Sequence, residues 1–203
     1  MKRAIALLEK HNLLKIISDE LDINLEIPHI AYVEVKRPDS KAILFTNVVD
    51  RKNSKKFKEP VLMNVFCNED AVKLFIGDGD KIGSEIESLL KLKPPVTFSE
   101  KLSTLGKLFS LKNTIPKKIK GKGICQEVIK LGADAKLSDL PVIKTWEEDG
   151  GPFITMGQVY TQSLNGELKN LGMYRLQVFP DNTLGMHWQI HKDLNHFFHE
   201  FKK

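Results

Sequence analysis

Between Phe153 and His191 three strand-like stretches, FITMGQVYTQS, LGMYRLQVF and LGMHWQIH, follow one another with only the turn signals LNGE and PDNT between them. Side chains on a strand alternate between two faces, and turns this short return the chain beside itself. The segment is therefore predicted to be an antiparallel β-meander. In its last stretch Met186, Trp188 and Ile190 alternate with His187, Gln189 and His191. HKDLNHFFHEFKK then switches to helical spacing and predicts a closing helix.

Upstream the period itself alternates. AIALLEKHNLL reads as a helix and LKIISDEL as a short strand, while AILFTNV (42–48) and PVLMNVFC (60–67) read as buried strands. NLEIPHIAYVEVKR is open between helix and strand, because Pro28 breaks an established helix but is tolerated in a first turn. NEDAVKLFIG has Asn68 placed to cap a helix, acidic residues in its first turn and Gly77 to end it. DKIGSEIESLLKLKPP predicts a second helix stopped by Pro94 and Pro95. Such alternation indicates an α/β layer domain. The lysine-rich stretch from Phe98 to Lys122 reads as a connector containing a short helix.

The 203 residues, 41% of them hydrophobic, suffice for one large or two small cores. No apolar run approaches the roughly 18 residues of a membrane-spanning helix, and Ala4–Leu8 is too short for a secretory signal. A cytoplasmic location is expected, with Cys67 and Cys125 as reduced, structural thiols. The net charge of +5 comes largely from RKNSKKFK (51–58) and IPKKIKGK (115–122). No aromatics interleave with these lysines, so solvated loops are expected, with a nucleic-acid surface as the alternative.

Four of the six histidines, His187, His191, His196 and His199, fall in the last 17 residues. On a strand, His187 and His191 would share a face but stand about 13 Å apart, too far to share one ion. His196 and His199 flank two phenylalanines at helical spacing and read as part of a packing helix. If Phe179 faces Leu184 across a simple PDNT hairpin, paired positions sum to 363, His191 lies opposite Gly172, and Asn170 is its diagonal neighbour. A carboxamide oxygen with an imidazole suits manganese or magnesium rather than structural zinc. A buried histidine and a turn asparagine would give the same arrangement. Arg175 is five residues beyond Asn170, so an unbroken strand sends the two to opposite faces. Bringing both into one pocket calls for a bulge, for which Gly172 is the natural place, and a bulge there would shift the hairpin register by one.

The run DGGPFITMGQVYTQSLNGELKNLGMYRLQVFPDNTLGMHWQIHKDLNHFF resembles the UbiD-like decarboxylase family, which uses prenylated FMN, and within it the menaquinone- and ubiquinone-pathway members. The likeness spans about Gly123 to the C-terminus and is carried by the N-x-G-x-Y-R stretch and the histidine after it. Residues 1 to 120 resemble the family's N-terminal α/β domain in pattern and order. The resemblance implies an α+β or α/β chain in two parts. Residues 1–120 would form the N-terminal α/β domain with its connector, and 121–203 the first, incomplete part of a flavin-binding split β-barrel.

By the same resemblance, Asn170 and His191 match ligands of a divalent metal, manganese or magnesium, with potassium as a further cation. The third ligand, a glutamate, and the acidic proton donor are expected beyond Lys203. Met173, Tyr174 and Arg175 match one cofactor-lining segment, and His187, Trp188 and Gln189 a second. Lys192 stands where arginine is common and implies a phosphate contact; Asp193 stands where glycine is common. Arg175 matches the arginine beside the reacting centre. Its guanidinium could grip a substrate carboxylate at two points, and the alternative is a surface strand arginine. The implied activity is reversible decarboxylation of an aromatic or unsaturated acid through a covalent prenylated-flavin adduct, in menaquinone or ubiquinone biosynthesis. A flavin prenyltransferase would supply the cofactor, and the protein would be a homo-oligomer. The 203 residues alone are expected to be inactive. The alternative is a stand-alone flavin-binding or assembly module.

Overall fold

The apolar runs of the first seventy residues come together as a four-stranded sheet in the computed structural model, which describes residues 1–91, 105 and 120–202. Helix α1 (Lys2–Lys10) buries Leu8 and leads into strand β1 (Leu14–Asp22). Helix α2 (Glu26–Val35) crosses over to β2 (Ala42–Asp50), which lies parallel to β1 and completes a βαβ unit. Pro28 sits in the first turn of α2, where its missing N–H removes no helical bond. Beyond β2, the short strands β3 (Lys55–Lys56) and β4 (Val61–Met63) both pair with it antiparallel. With neighbours on both edges, β2 has Ala42 through Phe45 and then Val48 and Val49 buried, which explains its near-continuous apolar sequence.

The core consists of Ile27, Ile43, Phe45, Val48, Phe57 and Ile143. Ile143 reaches it from far along the chain: Lys144 N donates to Ile23 O (3.1 Å) and Leu25 N to Lys144 O (3.1 Å). Asp22 and Glu26 stitch the ends of β1 and β2. Glu26 accepts from Asp22 N (2.8 Å) and from Arg51 Nη1 (2.5 Å), while Asp22 accepts from Arg51 N (3.3 Å). The Arg51 guanidinium holds the Glu26 carboxyl below the usual glutamate range.

Two expectations for this region change. PVLMNVFC contributes only Val61–Met63 to the sheet, because Asn64 adopts a left-handed φ of +56° and turns its amide to Ala31 O (2.7 Å). RKNSKKFK is not a bare lysine loop: Lys55 reaches Asp139 Oδ1 (3.1 Å) and Lys56 reaches Glu20 (3.6 Å).

The chain divides into two compact units, Met1–Asn68 with Ala135–Lys203, and Glu69–Asp134. In the second, α3 (Glu69–Ile76) ends at Gly77, whose φ of +98° suits glycine. Asp78 then caps α4 (Gly79–Leu90) by accepting from Asp80 N and Lys81 N. Helix α4 closes at Leu90. Pro94, Pro95 and nearly all of the connector, including most of IPKKIKGK, lie outside the described residues. Among the described residues no helix is long and apolar enough to cross a membrane.

The predicted meander is present: β5 (Phe153–Gln162), β6 (Lys169–Val178) and β7 (Leu184–His187) form an antiparallel sheet in that order. Helix α5 (Asp193–Phe201) packs on β5 and β6, burying Leu194, Asn195 and Phe197 and leaving His196 and His199 exposed.

Three details of the meander differ from expectation. The β6–β7 pairs are Val178 with Leu184 and Arg175 with His187, one step from the predicted register. The loop takes in Phe179, whose N donates to Thr183 O (3.0 Å), and Asn182 turns at φ +66° with its amide bonded to Leu137 N and Ala135 O. The bulge falls in β5, between Ile154 and Gly157, and not at Gly172. Finally, β7 stops at His187 rather than His191. Trp188 leaves the ladder to donate to Asn195 Oδ1 (3.1 Å) and to meet Phe198, their ring centroids 5.2 Å apart.

Candidate functional site

Because β6 pairs without interruption from Lys169 to Tyr174 and on to Val178, its side chains alternate strictly and divide the candidate residues between two faces. Asn170, Gly172 and Tyr174 face α5. Leu171, Met173 and Arg175 face the other way and are exposed. Asn170 and Arg175 therefore do not share a pocket within this sheet.

On the α5 face, Tyr174 is buried and its ring lies back over Gly172. A Cβ at Gly172 would stand 2.3 Å from Tyr174 Cε2 and 2.9 Å from its hydroxyl oxygen. This is why the sequence carries glycine here: it makes room for the ring and introduces no bulge. Gly172→Ala must evict the ring and is expected to cost about 1–3 kcal/mol. Urea denaturation checks this, and a loss no greater than for an exposed strand alanine would contradict the packing.

Asn170 Nδ2 donates to Asp193 Oδ2 (2.7 Å) at the start of α5. Its other atom, Oδ1, is buried with no hydrogen-bond partner. Such an atom costs stability unless something binds it, and a carboxamide oxygen is a suitable ligand for a hard divalent cation. The donor at Asn170 thus fits the metal implied for it. Among the described residues no three of His, Cys, Asp and Glu are grouped to hold an ion. His191 lies in the exposed turn before α5, not opposite Gly172. Lys192, the residue preceding α5, holds its ammonium 5.8 Å from the Tyr174 ring centroid.

On the opposite face Arg175 and His187 are direct cross-strand partners. With Phe153, Gln177, Gly185 and Met186 they line an open groove of about 390 Å³. The guanidinium stands 5.9 Å from the Phe153 ring centroid, and no carboxylate pairs with it among the described residues. A charged, planar, two-point donor beside an aromatic wall is suited to an aromatic carboxylate. Met173 continues this face, 62% exposed. Trp188 serves packing through Asn195 and Phe198, and Gln189 is exposed in the same turn as His191.

Sequence reasoning missed Thr161, Asn195 and the contact made by Asp193. Thr161 reads as an ordinary strand residue and Asp193 as a first-turn acid. Only the pairing of β5 with β6 and the docking of α5 give them a place beside Asn170.

Comparison with known proteins bears on the family and the fold. Residues 5–90 match the 3-octaprenyl-4-hydroxybenzoate carboxy-lyase N-terminal domain, and residues 117–203 the 3-octaprenyl-4-hydroxybenzoate carboxy-lyase Rift-related domain. An uncharacterized protein of Helicobacter pylori is 46% identical over the whole chain, which spans about a third (33%) of that relative's length. The vanillic acid decarboxylase of Sedimentibacter hydroxybenzoicus, in closed form, superposes with a TM-score of 0.70 at 19% identity, covering 97% of this chain and 38% of that one. The UbiD-class enzyme HmfF of Pelotomaculum thermopropionicum, in complex with FMN, gives 0.63 at 21% identity, covering 98% and 38%. An evolved dimeric form of HmfF in complex with prFMN gives 0.64 at 21%, covering 98% and 40%. At these identities the structures speak for the fold, and the two domain matches, one on each side of the connector, speak for the family: the chain belongs to the UbiD family of carboxy-lyases.

Proposed function

We propose that this chain is part of a decarboxylase acting on an aromatic or unsaturated carboxylic acid, in menaquinone or ubiquinone biosynthesis, with prenylated FMN and manganese or magnesium as cofactors and potassium as a further cation. Residues 1–120 are its N-terminal α/β domain and 121–203 the beginning of its split-barrel flavin domain. A flavin prenyltransferase supplies the cofactor. The protein works in the cytoplasm as a homo-oligomer.

The observation that carries this reading is Arg175, an arginine without a carboxylate partner among the described residues, standing over Phe153 in the groove with His187. Decarboxylation leaves an electron pair on an sp² carbon, and the prenylated flavin, when bound, supplies the electron sink for it. Arg175 holds the substrate carboxylate by two parallel hydrogen bonds and fixes its orientation. His187 and Met173 line the same face, Gln189 follows in the turn, and Lys192 offers a cation to the cofactor phosphate. Tyr174 supports Lys192 from beneath, and Trp188 anchors the turn that carries His191. Asn170 and His191 hold the metal.

A second reading, a stand-alone flavin-binding or assembly module, draws support from Tyr160, Leu171 and Met173, each more than 60% exposed on one side of the meander. The two are separated by isolating the protein encoded by the complete gene, identifying its flavin by mass spectrometry and measuring carbon dioxide release. Prenylated FMN with turnover of an aromatic acid is expected. Plain FMN or none, without release even after reconstitution with prenylated FMN, would favour the module.

A further inference from the structure

Asn170 and Thr161 are direct cross-strand partners on the α5 face of the meander, and both carry a buried oxygen without a hydrogen-bond partner, Asn170 Oδ1 and Thr161 Oγ1. Among the described residues, Asn47 Oδ1 is the other such side-chain atom. Directly opposed residues hold their Cβ atoms about 4.5–5.5 Å apart. The two oxygens thus sit on one face of neighbouring strands, buried and without a hydrogen-bond partner, not even each other. Burying them so is unfavourable in the absence of a ligand, because each has given up water without a replacement partner.

The orientation of the carboxamide is fixed from α5. A carboxylate only accepts hydrogen bonds, so the Asn170 atom 2.7 Å from Asp193 Oδ2 must be the NH₂ group, and the oxygen is forced to the other side. Asp193 is also the first residue of α5, so the docking of that helix and the aim of the carboxamide are one event.

We propose that Thr161 Oγ1 is a second oxygen donor to the divalent cation held at Asn170, and that Asp193 is the positioning residue that aims the Asn170 oxygen at it. This rests on the metal assignment of Asn170 made above. A hydroxyl and a carboxamide form a neutral, hard donor pair that favours manganese or magnesium over softer metals. A carboxylate held on the amide rather than on the ion acts as outer-shell orienters do, and losing such a partner typically weakens metal binding about 10–100-fold.

The test is Mn²⁺ binding to the complete, flavin-free protein, followed by calorimetry and by the electron paramagnetic resonance spectrum of the bound ion. Thr161→Val, which keeps the shape and removes the oxygen, is expected to weaken Mn²⁺ about tenfold and alter the spectrum, while raising the melting temperature of the metal-free protein. Thr161→Ser should restore wild-type affinity. Asp193→Ala should weaken binding about tenfold or more, and Asp193→Asn less, because facing amides can pair in either orientation. Wild-type affinity and spectrum in Thr161→Val and Asp193→Ala, with binding abolished in Asn170→Ala, would overturn this proposal and leave the metal assignment standing. Unchanged binding in Asn170→Ala would overturn both.

Discussion

Arg175→Ala in the complete protein is expected to lower kcat/KM for carbon dioxide release by about 10²–10⁴-fold, with metal content unchanged. The size follows from the proposed role, which the variant removes: two charge-assisted hydrogen bonds to the substrate carboxylate, each about 1.5–3 kcal/mol, where about 1.4 kcal/mol corresponds to a factor of ten. The selectivity of the effect follows from the fold. Arg175 and Asn170 lie on opposite faces of β6, so removing the guanidinium leaves the Asn170–Asp193 contact untouched. Arg175 is exposed and makes no ion pair among the described residues, so stability should stay within about 0.5 kcal/mol. Arg175→Lys should recover only part of the rate, since an ammonium keeps the charge but not the two-point grip. Rates within a factor of three of wild type for Arg175→Ala would remove the arginine from the reaction.

Phe45→Ala is the largest stability loss expected, about 3–5 kcal/mol. Phe45 is completely buried in β2, between β1 and β4, and packs in the cluster with Ile27, Ile43, Val48, Phe57 and Ile143. No neighbour can collapse into the space without pulling on the central strand of the sheet. Set against a typical total of about 5–15 kcal/mol, the loss should be evident as a lowered urea midpoint with the slope retained. Because Ile143 lies in the same cluster, near-ultraviolet signals from both the first seventy residues and the meander should be lost together. A loss below about 1 kcal/mol would show that Phe45 is not central to the core.

Much of the architecture was legible because it depends on local chemistry. AILFTNV reads as a buried strand since its β-branched and apolar residues are broken only by Asn47, and a strand with neighbours on both edges needs such a run. Gly77 ends α3 by adopting a backbone angle other residues avoid. Pro28 is compatible with helix or strand by sequence alone, and the start of α2 at Glu26 puts it in a first turn. The three strands of the meander were marked by their turns. The register of β6 on β7 was not, because PDNT alone does not say whether Phe179 belongs to the loop. That choice is made by Asn182 bonding to Ala135 and Leu137, forty-five and more residues away. The end of β7 at His187 was hidden for a similar reason: Trp188 continues the alternation in sequence, yet its indole N–H finds Asn195 only after α5 docks.

The candidate site divides in the same way. Asn170, Arg175, His187, His191 and Lys192 could be singled out from residue type, spacing and resemblance. What the sequence by itself determined is the set of elements and the identity of these chemistry-bearing residues, since both depend on side-chain type and on contacts within a few positions. Which residues meet was decided by tertiary structure alone. An unbroken β6 separates Asn170 from Arg175, strand pairing sets Thr161 against Asn170, and helix docking brings in Asp193. The physical reason is that strand pairing and helix docking place residues many positions apart side by side. A one-residue slip in register reverses every face, and nothing within a few residues of Asn170 records which register was chosen.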